Sequence, residues 1–573
     1  MADEPKLSPV EAIKEQSRYL RGTLAEELAS ESDHLSDEGK NLIKFHGSYQ
    51  QEDRDARKNR PKGAAASKAY CFMIRLKLPG GKLTADQYLV MDELCGKYAN
   101  GTLRITTRQS IQFHGILKHD LKSTIAGFNA ALVTSLGGCG DVNRNVMACP
   151  APTADPARRK MQELADEVAA HLAPKSGLQA YHELWLNGEK QEVALPETLG
   201  NPPGETVDEP IYGRTYLPRK FKIAFALPED NCTDILANCV GFLGIIEQGN
   251  LVGFNLYAAG GQGRTNGRED TFATPAALLG FVTVDEAIPV SEALIKLYRD
   301  HGNRADRKRA RFKYVLADMG YEKFRELFVR DYWKKPLAEA KHAPITGLDL
   351  HHGKHPQGDG QWFLGLSVEN GRIKDEGTMR LRSGLREIVK RVGASVRLSA
   401  QQDVLLCDIP KDRLAEVDSL LHEYGIPRPE NLSMVRKLSM ACPAIPTCPL
   451  AITESERSLP SVTAALEKDL AELGLDAEPI SVRMTGCPNG CARPYQSEIG
   501  LVGRGGTKYT LYIGGDSYGR RLNAELQDSV PIEQIAPKLK KLFSSFKDER
   551  AGGELFGDYC TRVGLERLQQ IIA

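Results

Sequence analysis

The rhythm of hydrophobic and polar positions changes abruptly near Tyr70. Upstream, residues 1–69 read as a polar arm. It holds a helix-like stretch near Ser17–Glu27, the compact phrase Leu42-Ile43-Lys44-Phe45-His46-Gly47-Ser48-Tyr49-Gln50-Gln51, and a highly charged run, Glu52–Lys62, that reads as a solvated linker. From Tyr70 the spacing predicts a strand over Cys71–Leu78, a turn at Pro79-Gly80-Gly81, an amphipathic helix over Ala85–Tyr98, and strands over Thr102–Ile105 and Ile111–Ile116. Strand, helix, strand, strand in this order is an α+β unit.

The same pattern occurs twice. The phrase GTLRITTRQSIQFH around Arg104 and Gln109 recurs as ASVRLSAQQDVLLC around Arg397 and Gln402, an offset of 293 residues. That offset also carries Met147-Ala148-Cys149-Pro150 onto Met440-Ala441-Cys442-Pro443. Gly81-Lys82-Leu83 pairs with Gly371-Arg372-Ile373 at 290, and Leu251-Val252-Gly253 with Gly260-Gly261 echoes Leu501-Val502-Gly503 with Gly514-Gly515. One constant offset joining separate matches predicts an internal duplication, and the interface of two pseudo-symmetric halves is a favoured place for a large cofactor.

Composition narrows the class. The 573 residues allow three or four domains, and 41% hydrophobic with 26% charged residues is ordinary for a globular protein. Lys+Arg and Asp+Glu both number 75, which argues against bulk nucleic-acid binding while leaving room for local basic pockets. The first residues, MADEPKLSPVEAIKEQSRYL, do not read as a signal or transit peptide, and the longest apolar run, Ile235 to Ile246, is too short to span a bilayer. The expectation is a cytoplasmic protein, with no membrane partner, whose twelve cysteines are free or metal-bound.

Four of those cysteines form a set. Cys442 and Cys448 are spaced C-x5-C, Cys487 and Cys491 C-x3-C, with 38 residues between the pairs. Proline follows Cys442, Cys448 and Cys487 directly, which removes a backbone donor and holds each cysteine in extended backbone. Such a set can serve an iron–sulfur cluster, zinc, or ordinary buried thiols; the spacing fits zinc knuckles poorly, and Cys-Pro favours a 4Fe–4S cluster. In the first copy only Cys149 remains.

The phrases ACPAIPTCPLAITESER and RMTGCPNGCARPY, with TLRITTRQSIQFHG and NRNVMACP, resemble the sirohaem and 4Fe–4S sulfite/nitrite reductases. SRYLRGTLAEEL, LIKFHGSYQQEDRD and FGDYCTR further resemble the assimilatory sulfite reductase haemoproteins of that family, and the likeness covers essentially the whole chain. It implies an arm (1–69), two ferredoxin-like half-domains (70–138 and 339–430) joined as one pseudo-symmetric unit, and two α/β domains (139–338 and 431–573) flanking a sirohaem.

The resemblance also implies that Cys442, Cys448, Cys487 and Cys491 bind the cluster, with the Cys491 sulfur shared as axial ligand of the sirohaem iron. Asn489 and Arg493 would hydrogen-bond cluster sulfur or sirohaem. Arg75, Arg144, Lys220 and Lys222 match the family's substrate-binding cations, and Lys-x-Lys on a strand puts both ammonium groups on one face. Arg104, Arg108, Gln112 and His114 would line the sirohaem carboxylates. The implied reaction is six-electron reduction of sulfite to sulfide, as in sulfur assimilation and cysteine biosynthesis, with the lysines as proton donors and the arginines purely electrostatic. Sirohaem nitrite reductase is the near alternative; an iron–sulfur electron carrier or a zinc-stapled binding protein would need neither the duplication nor the basic set. No G-x-G-x-x-G follows a strand, so electrons are expected from another protein, ferredoxin or an NADPH-dependent flavoprotein subunit.

Overall fold

The computed structural model describes residues 6–59, 68–175 and 209–573, together with the backbone of a hairpin formed by Leu184–Leu186 and Glu189–Gln191. The helix expected over Ala85–Tyr98 forms over those residues, because Thr84 and Gln87 close a capping box at its start. Strands Tyr70–Arg75, Leu103–Ile105 and Ile111–Ile116 follow the predicted order.

Two five-stranded sheets carry the half-domains. One runs in the order Ser48–Glu52, Tyr70–Arg75, Ile111–Ile116, Leu103–Ile105, Arg372–Ile373; the other runs Gly353–Pro356, Gln361–Leu366, Val404–Pro410, Ser395–Leu398, Lys82–Leu83. Each half therefore lends a two-residue strand to the other's sheet. Arg372 pairs with Arg104 on one side, and Lys82 with Arg397 on the other. The glycines before these strands take the same left-handed backbone, Gly81 at φ 75° and Gly371 at φ 71°. A Cβ at Gly81 would lie 2.4 Å from the Leu398 carbonyl oxygen, and one at Gly371 2.4 Å from that of Ile105. Only glycine fits either place. A single apolar core, including Phe72, Leu103 and Phe113 with Leu366, Val396 and Leu406, spans both halves.

The two larger units repeat one topology. In the second, Met440–Ala441 pairs parallel with Val482–Thr485, which pairs parallel with Ile499–Gly505, followed by antiparallel Lys508–Ile513 and Ala524–Pro531. In the first, Met147 bridges Ala224 in parallel, and Ile223–Ala226, Val240–Glu247, Asn250–Ala258 and Ala277–Thr283 follow the same sequence of pairings. Helices Pro156–His171 and Ala287–His301 bury the first sheet, and Leu459–Leu473 and Ile532–Glu549 the second.

Three sequence expectations change. Leu251 lies in the fourth strand of its unit and Leu501 in the third, so these leucines are not equivalents; of the glycine pairs, Gly260 and Gly515, each two residues past the fourth strand, are equivalent, and Ala259 stands at the place of Gly514. Ser17–Glu27 is chiefly a turn between helices Pro9–Gln16 and Leu24–Ala29. The Ser17 hydroxyl donates to Lys14 O and accepts from Leu20 N, and Arg18, Tyr19 and Leu20 take positive φ. Within the charged run Glu52–Lys62, Glu52 ends a strand and Arg54–Lys58 is a helix whose first N–H groups are capped by the Asp53 carboxylate; residues from 60 onward lie outside the described ones. No helix among the described residues is long and apolar enough to cross a membrane.

Candidate active site

The four motif cysteines come from two loops of the second unit. Cys442 follows the first strand and Cys448 the turn after it; Cys487 and Cys491 occupy the loop after Val482–Thr485. Cys442 and Cys487 are buried and Cys448 partly so, while Cys491 is exposed. The thiols of Cys442, Cys448 and Cys487 are each pushed up to about 12. Burial is the main cause, and the neighbouring sulfurs of the set add to it, Cys491 acting on all three. Four sulfurs within electrostatic reach of one another, two buried and one partly so, are a donor set that cationic iron would neutralise, so the set fits a cluster.

The surrounding chain holds these loops by hydrogen bonds. Gly486 N–H donates to the Cys442 sulfur at 3.3 Å and Asn489 Nδ2 to the Cys487 sulfur at 3.4 Å. Arg54, in the run expected to be linker, donates to the carbonyls of Pro446, Cys448 and Ala451 at 3.1, 2.6 and 2.9 Å, binding the N-terminal arm to the Cys448 turn.

Beside the cysteines a row of polar side chains crosses the first half-domain sheet. Ladder register places Arg75 opposite Gln112, Gln112 opposite Arg104 and Arg104 opposite Arg372, and His114 lies two residues beyond Gln112 on the same face. Arg75 Nη1 donates to the Cys139 sulfur at 3.0 Å, and its charge is favoured by Cys139, Tyr49, Cys491 and Cys448 despite burial. Gln112 Nε2 reaches the Met73 sulfur at 3.5 Å. His114 Nδ1 lies 3.4 Å from Thr447 Oγ1, and burial, then Arg372, Arg104 and Arg75, hold the ring neutral. Arg104 is only 1% exposed; it is ion-paired with Glu456 and donates to Ala441 O at 2.7 Å. Its fork is therefore occupied by the protein, and Arg104 braces the residue before Cys442, whereas the resemblance implied that it lines the sirohaem carboxylates.

Arg108 sits in the turn between strands and points toward the first large unit. It donates to the carbonyls of Asn145 at 3.1 Å and Ile223 at 3.4 Å and to the Asn238 side chain. Arg144 donates to Gly140 O at 2.8 Å and Gly138 O at 3.0 Å, with Nη2 left unpartnered among the described residues. Arg493 pairs with Asp234 and donates to Thr107 O at 3.0 Å and Ala400 O at 2.8 Å, tying both half-domain turns to the Cys491 loop; Thr107 returns a bond to Cys491 O at 3.0 Å.

Lys220 and Lys222 flank Phe221, just before the strand Ile223–Ala226. Neither ammonium group has an ion pair or hydrogen bond among the described residues. Both residues are half-buried, and their ammonium groups lie among protein atoms. Burial and then Arg311 push Lys220 down to about 7, against the opposite pull of Cys491; burial, Arg108 and Lys220 push Lys222 well down from its ordinary value. Lys313, donating to Gly263 O at 2.7 Å and Gly261 O at 3.1 Å, is lowered to about 6 by burial and Arg311. The Arg311 Nε, the His114 Nε2 and both amide atoms of Gln262, which packs against Gly490, are buried without partners among the described residues. Uncompensated cations and orphaned polar atoms beside Cys491 fit a polycarboxylate cofactor and a small oxyanion.

The sequence pointed to Lys220 and Lys222 but missed Arg54, Glu456, Arg311 and Lys313. Arg311 and Lys313 lie at the start of helix Phe312–Met319 in a run rich in arginine, where nothing separates a cavity cation from a solvated one.

Known proteins resemble this chain in sequence and in fold. Residues 139–337 match the family model described as nitrite and sulphite reductase 4Fe-4S domain, and residues 65–131 and 354–424 match the nitrite/sulfite reductase ferredoxin-like half domain. A protein of Synechococcus elongatus named sulfite reductase (ferredoxin) is 44% identical over 574 residues, 99% of this chain and 91% of that protein. One of Geobacillus thermodenitrificans named sulfite reductase (NADPH) hemoprotein beta-component is 42% identical over 560 residues, 97% and 96% of the two. The solved structure of the Mycobacterium tuberculosis NirA protein superposes with a TM-score of 0.78 at 23% identity, covering 99% of this chain and 98% of that one, a likeness of fold.

Proposed function

This chain belongs to the nitrite and sulphite reductase family, and from that premise we propose that it reduces sulfite to sulfide at a sirohaem coupled to a 4Fe–4S cluster. The observation that carries the reading is the pair Lys220 and Lys222: half-buried, with ammonium groups unpaired among the described residues, and with Lys220 within electrostatic reach of Cys491. A buried cation without a counter-ion is costly, and an anionic substrate and cofactor remove that cost.

When bound, sirohaem and cluster supply the electron storage and transfer. Cys442, Cys448, Cys487 and Cys491 would hold the cluster, Cys491 reaching the sirohaem as the exposed member. Asn489 steadies the Cys487 sulfur, and Arg493 fixes the loop that presents Cys491. Arg108 and Arg311 offer charge to carboxylates, and His114 and Gln262 offer unfilled polar atoms. Lys220, Lys222, Arg75 and Arg144 would bind the sulfite oxygens. Six electrons and accompanying protons turn these oxygens into water, so the site needs donors that release protons near neutrality. Lys220, lowered to about 7, meets that need, whereas arginine keeps its proton and acts through charge.

Electrons would arrive from a separate protein, ferredoxin or an NADPH-linked flavoprotein; both kinds of relative match nearly the whole chain. The test is anaerobic turnover with reduced methyl viologen, sulfite against nitrite, repeated with reduced ferredoxin and with a flavoprotein partner. Sulfide production with kcat/KM for sulfite above that for nitrite supports the reading, and the reverse order makes the enzyme a nitrite reductase.

A further inference from the structure

The first large unit holds a second cluster of ligand-type side chains, away from the four motif cysteines. Cys149, Asp230, Cys232 and His351 each offer one ligand atom, and all four atoms lie within 4.8 Å of one another. The Cys149 sulfur is 3.1 Å from Asp230 Oδ2 and 3.2 Å from His351 Nε2, and Asp230 Oδ2 is 3.2 Å from the same nitrogen. Zinc–ligand bonds of about 2.0–2.3 Å set tetrahedral ligand–ligand edges of roughly 3.3–3.7 Å. The observed spacings are a small adjustment away. The four residues are 1%, 1%, 1% and 3% exposed, so solvent does not explain the cluster.

Strand register shows where this cluster sits. Met147 bridges Ala224 as Met440 bridges Arg483, and Ile223 faces Val240 as Val482 faces Ile499. Counting on from these ladders, Cys149 stands at the place of Cys442 and Cys232 at that of Cys491. We infer that Cys149, Cys232, His351 and Asp230 form a structural zinc site at the position that the 4Fe–4S cluster takes in the other copy.

The surroundings suit a closed site. His351 Nδ1 is 3.2 Å from Asp349 Oδ2, the carboxylate–histidine pairing that orients an imidazole ligand. Arg158 Nη1 donates to the Cys149 sulfur at 2.9 Å and to Asp230 Oδ2 at 2.6 Å. A divalent ion with two thiolates and one carboxylate carries one negative charge, which Arg158 neutralises. Ala151, Leu348, Phe363 and Leu405 wall the pocket. Four protein ligands and apolar walls leave no open position, which makes the site structural, and a donor set of two thiolates, one imidazole and one carboxylate favours zinc. Such an ion would tie together the chain after Met147, the turn after Ile223–Ala226 and the segment leading into the second half-domain.

The test uses the iron-loaded holoenzyme, purified without chelators. Zinc and iron are measured by mass spectrometry on one sample, and zinc K-edge absorption fine structure reads the ligands without interference from the iron chromophores. Expected are about one zinc per chain and a shell of two sulfur and two nitrogen or oxygen atoms. Cys232→Ser and Asp230→Asn should each lower bound zinc at least about tenfold with iron and sulfite turnover largely kept. The inference is overturned by an iron-replete chain that takes up no zinc from added zinc chloride, by undiminished zinc in both variants, or by a Cys149–Cys232 disulfide found on counting thiols in the unreduced protein. Loss of sulfite turnover with zinc retained would count against the catalytic reading alone.

Discussion

Gln402 donates its side-chain amide to the Ala441 carbonyl at 3.1 Å, one residue before Cys442, just as Gln109 donates to the Ala148 carbonyl at 2.7 Å before Cys149. Both glutamines take positive φ, 74° and 47°, which costs a non-glycine residue stability and shows that the turn is held for its side chain. The two clamps differ in support. Ala441 O also accepts from Arg104 at 2.7 Å, whereas Ala148 is held by Gln109 at both its carbonyl and its N–H. Gln402→Ala should therefore cost about 1 kcal/mol and Gln109→Ala about 2–3 kcal/mol, read from urea midpoints. Equal losses would show that the two turns carry equal strain and the amides little.

This asymmetry also marks how far the sequence could be read. The constant offset of 293 exposed the duplication, and Gln109 and Gln402 were part of the matching phrase. Cys232 escaped because its equivalence to Cys491 runs at an offset of 259; extra residues between Cys149 and Ile223 break the register. The exchanged strands Lys82–Leu83 and Arg372–Ile373 are two residues long and carry no periodicity of their own. Arg54 lay in a run whose charge pattern is that of solvent-facing chain, and only the fold brings it to the Cys448 turn.

Lys220 should matter to turnover more than to assembly. Lys220→Ala is expected to lower kcat/KM for sulfite about a hundredfold, the scale for losing one preorganised charge at a reacting group. Sirohaem absorbance should stay within a fraction of wild type, since Arg108 and Arg311 remain. Loss of the chromophore itself would make the residue structural.

The same lysine sets a pH dependence. Its pKa lies below the ordinary 10.5, at about 7, so the charge that holds an anion is present below that value and lost as pH rises through it. Cofactor carboxylates favour the charged form and move this limb upward. KM for sulfite should therefore climb on the alkaline side, and Lys220→Arg, which keeps its charge, should flatten the climb. An unchanged profile in the arginine variant would assign the limb to another group.

Cys491 is the exposed member of a set whose other sulfurs are buried or partly so. Cys491→Ser should remove the coupled visible spectrum and reduce sulfite turnover to background, with iron per chain falling as the cluster is lost. A variant with wild-type spectrum and rate would end the shared-ligand assignment.

Glu456 is the one carboxylate paired with both Arg104 and Arg372 among the described residues, with Arg372 Nε at 2.6 Å and Nη2 at 2.9 Å from its two oxygens. Burial alone would raise its pKa, but Arg104 and Arg372 outweigh it and hold it below the ordinary 4.5. Burial in turn lowers Arg104 to about 10 against the pull of Glu456, so each charge depends on the other. Glu456→Gln keeps the shape and leaves two cations without their counter-ion, which should destabilise the protein by about 3 kcal/mol at pH 7. The sign with pH follows from the lowered carboxylate: its contribution is complete above 4.5 and disappears as pH falls through the folded value. Urea midpoints of wild type and variant should thus differ most at neutral pH and converge in acid. A gap that stays constant from pH 7 down to acid would mean that packing, rather than charge, is what Glu456 provides beside Ala441 and the cysteine that follows it.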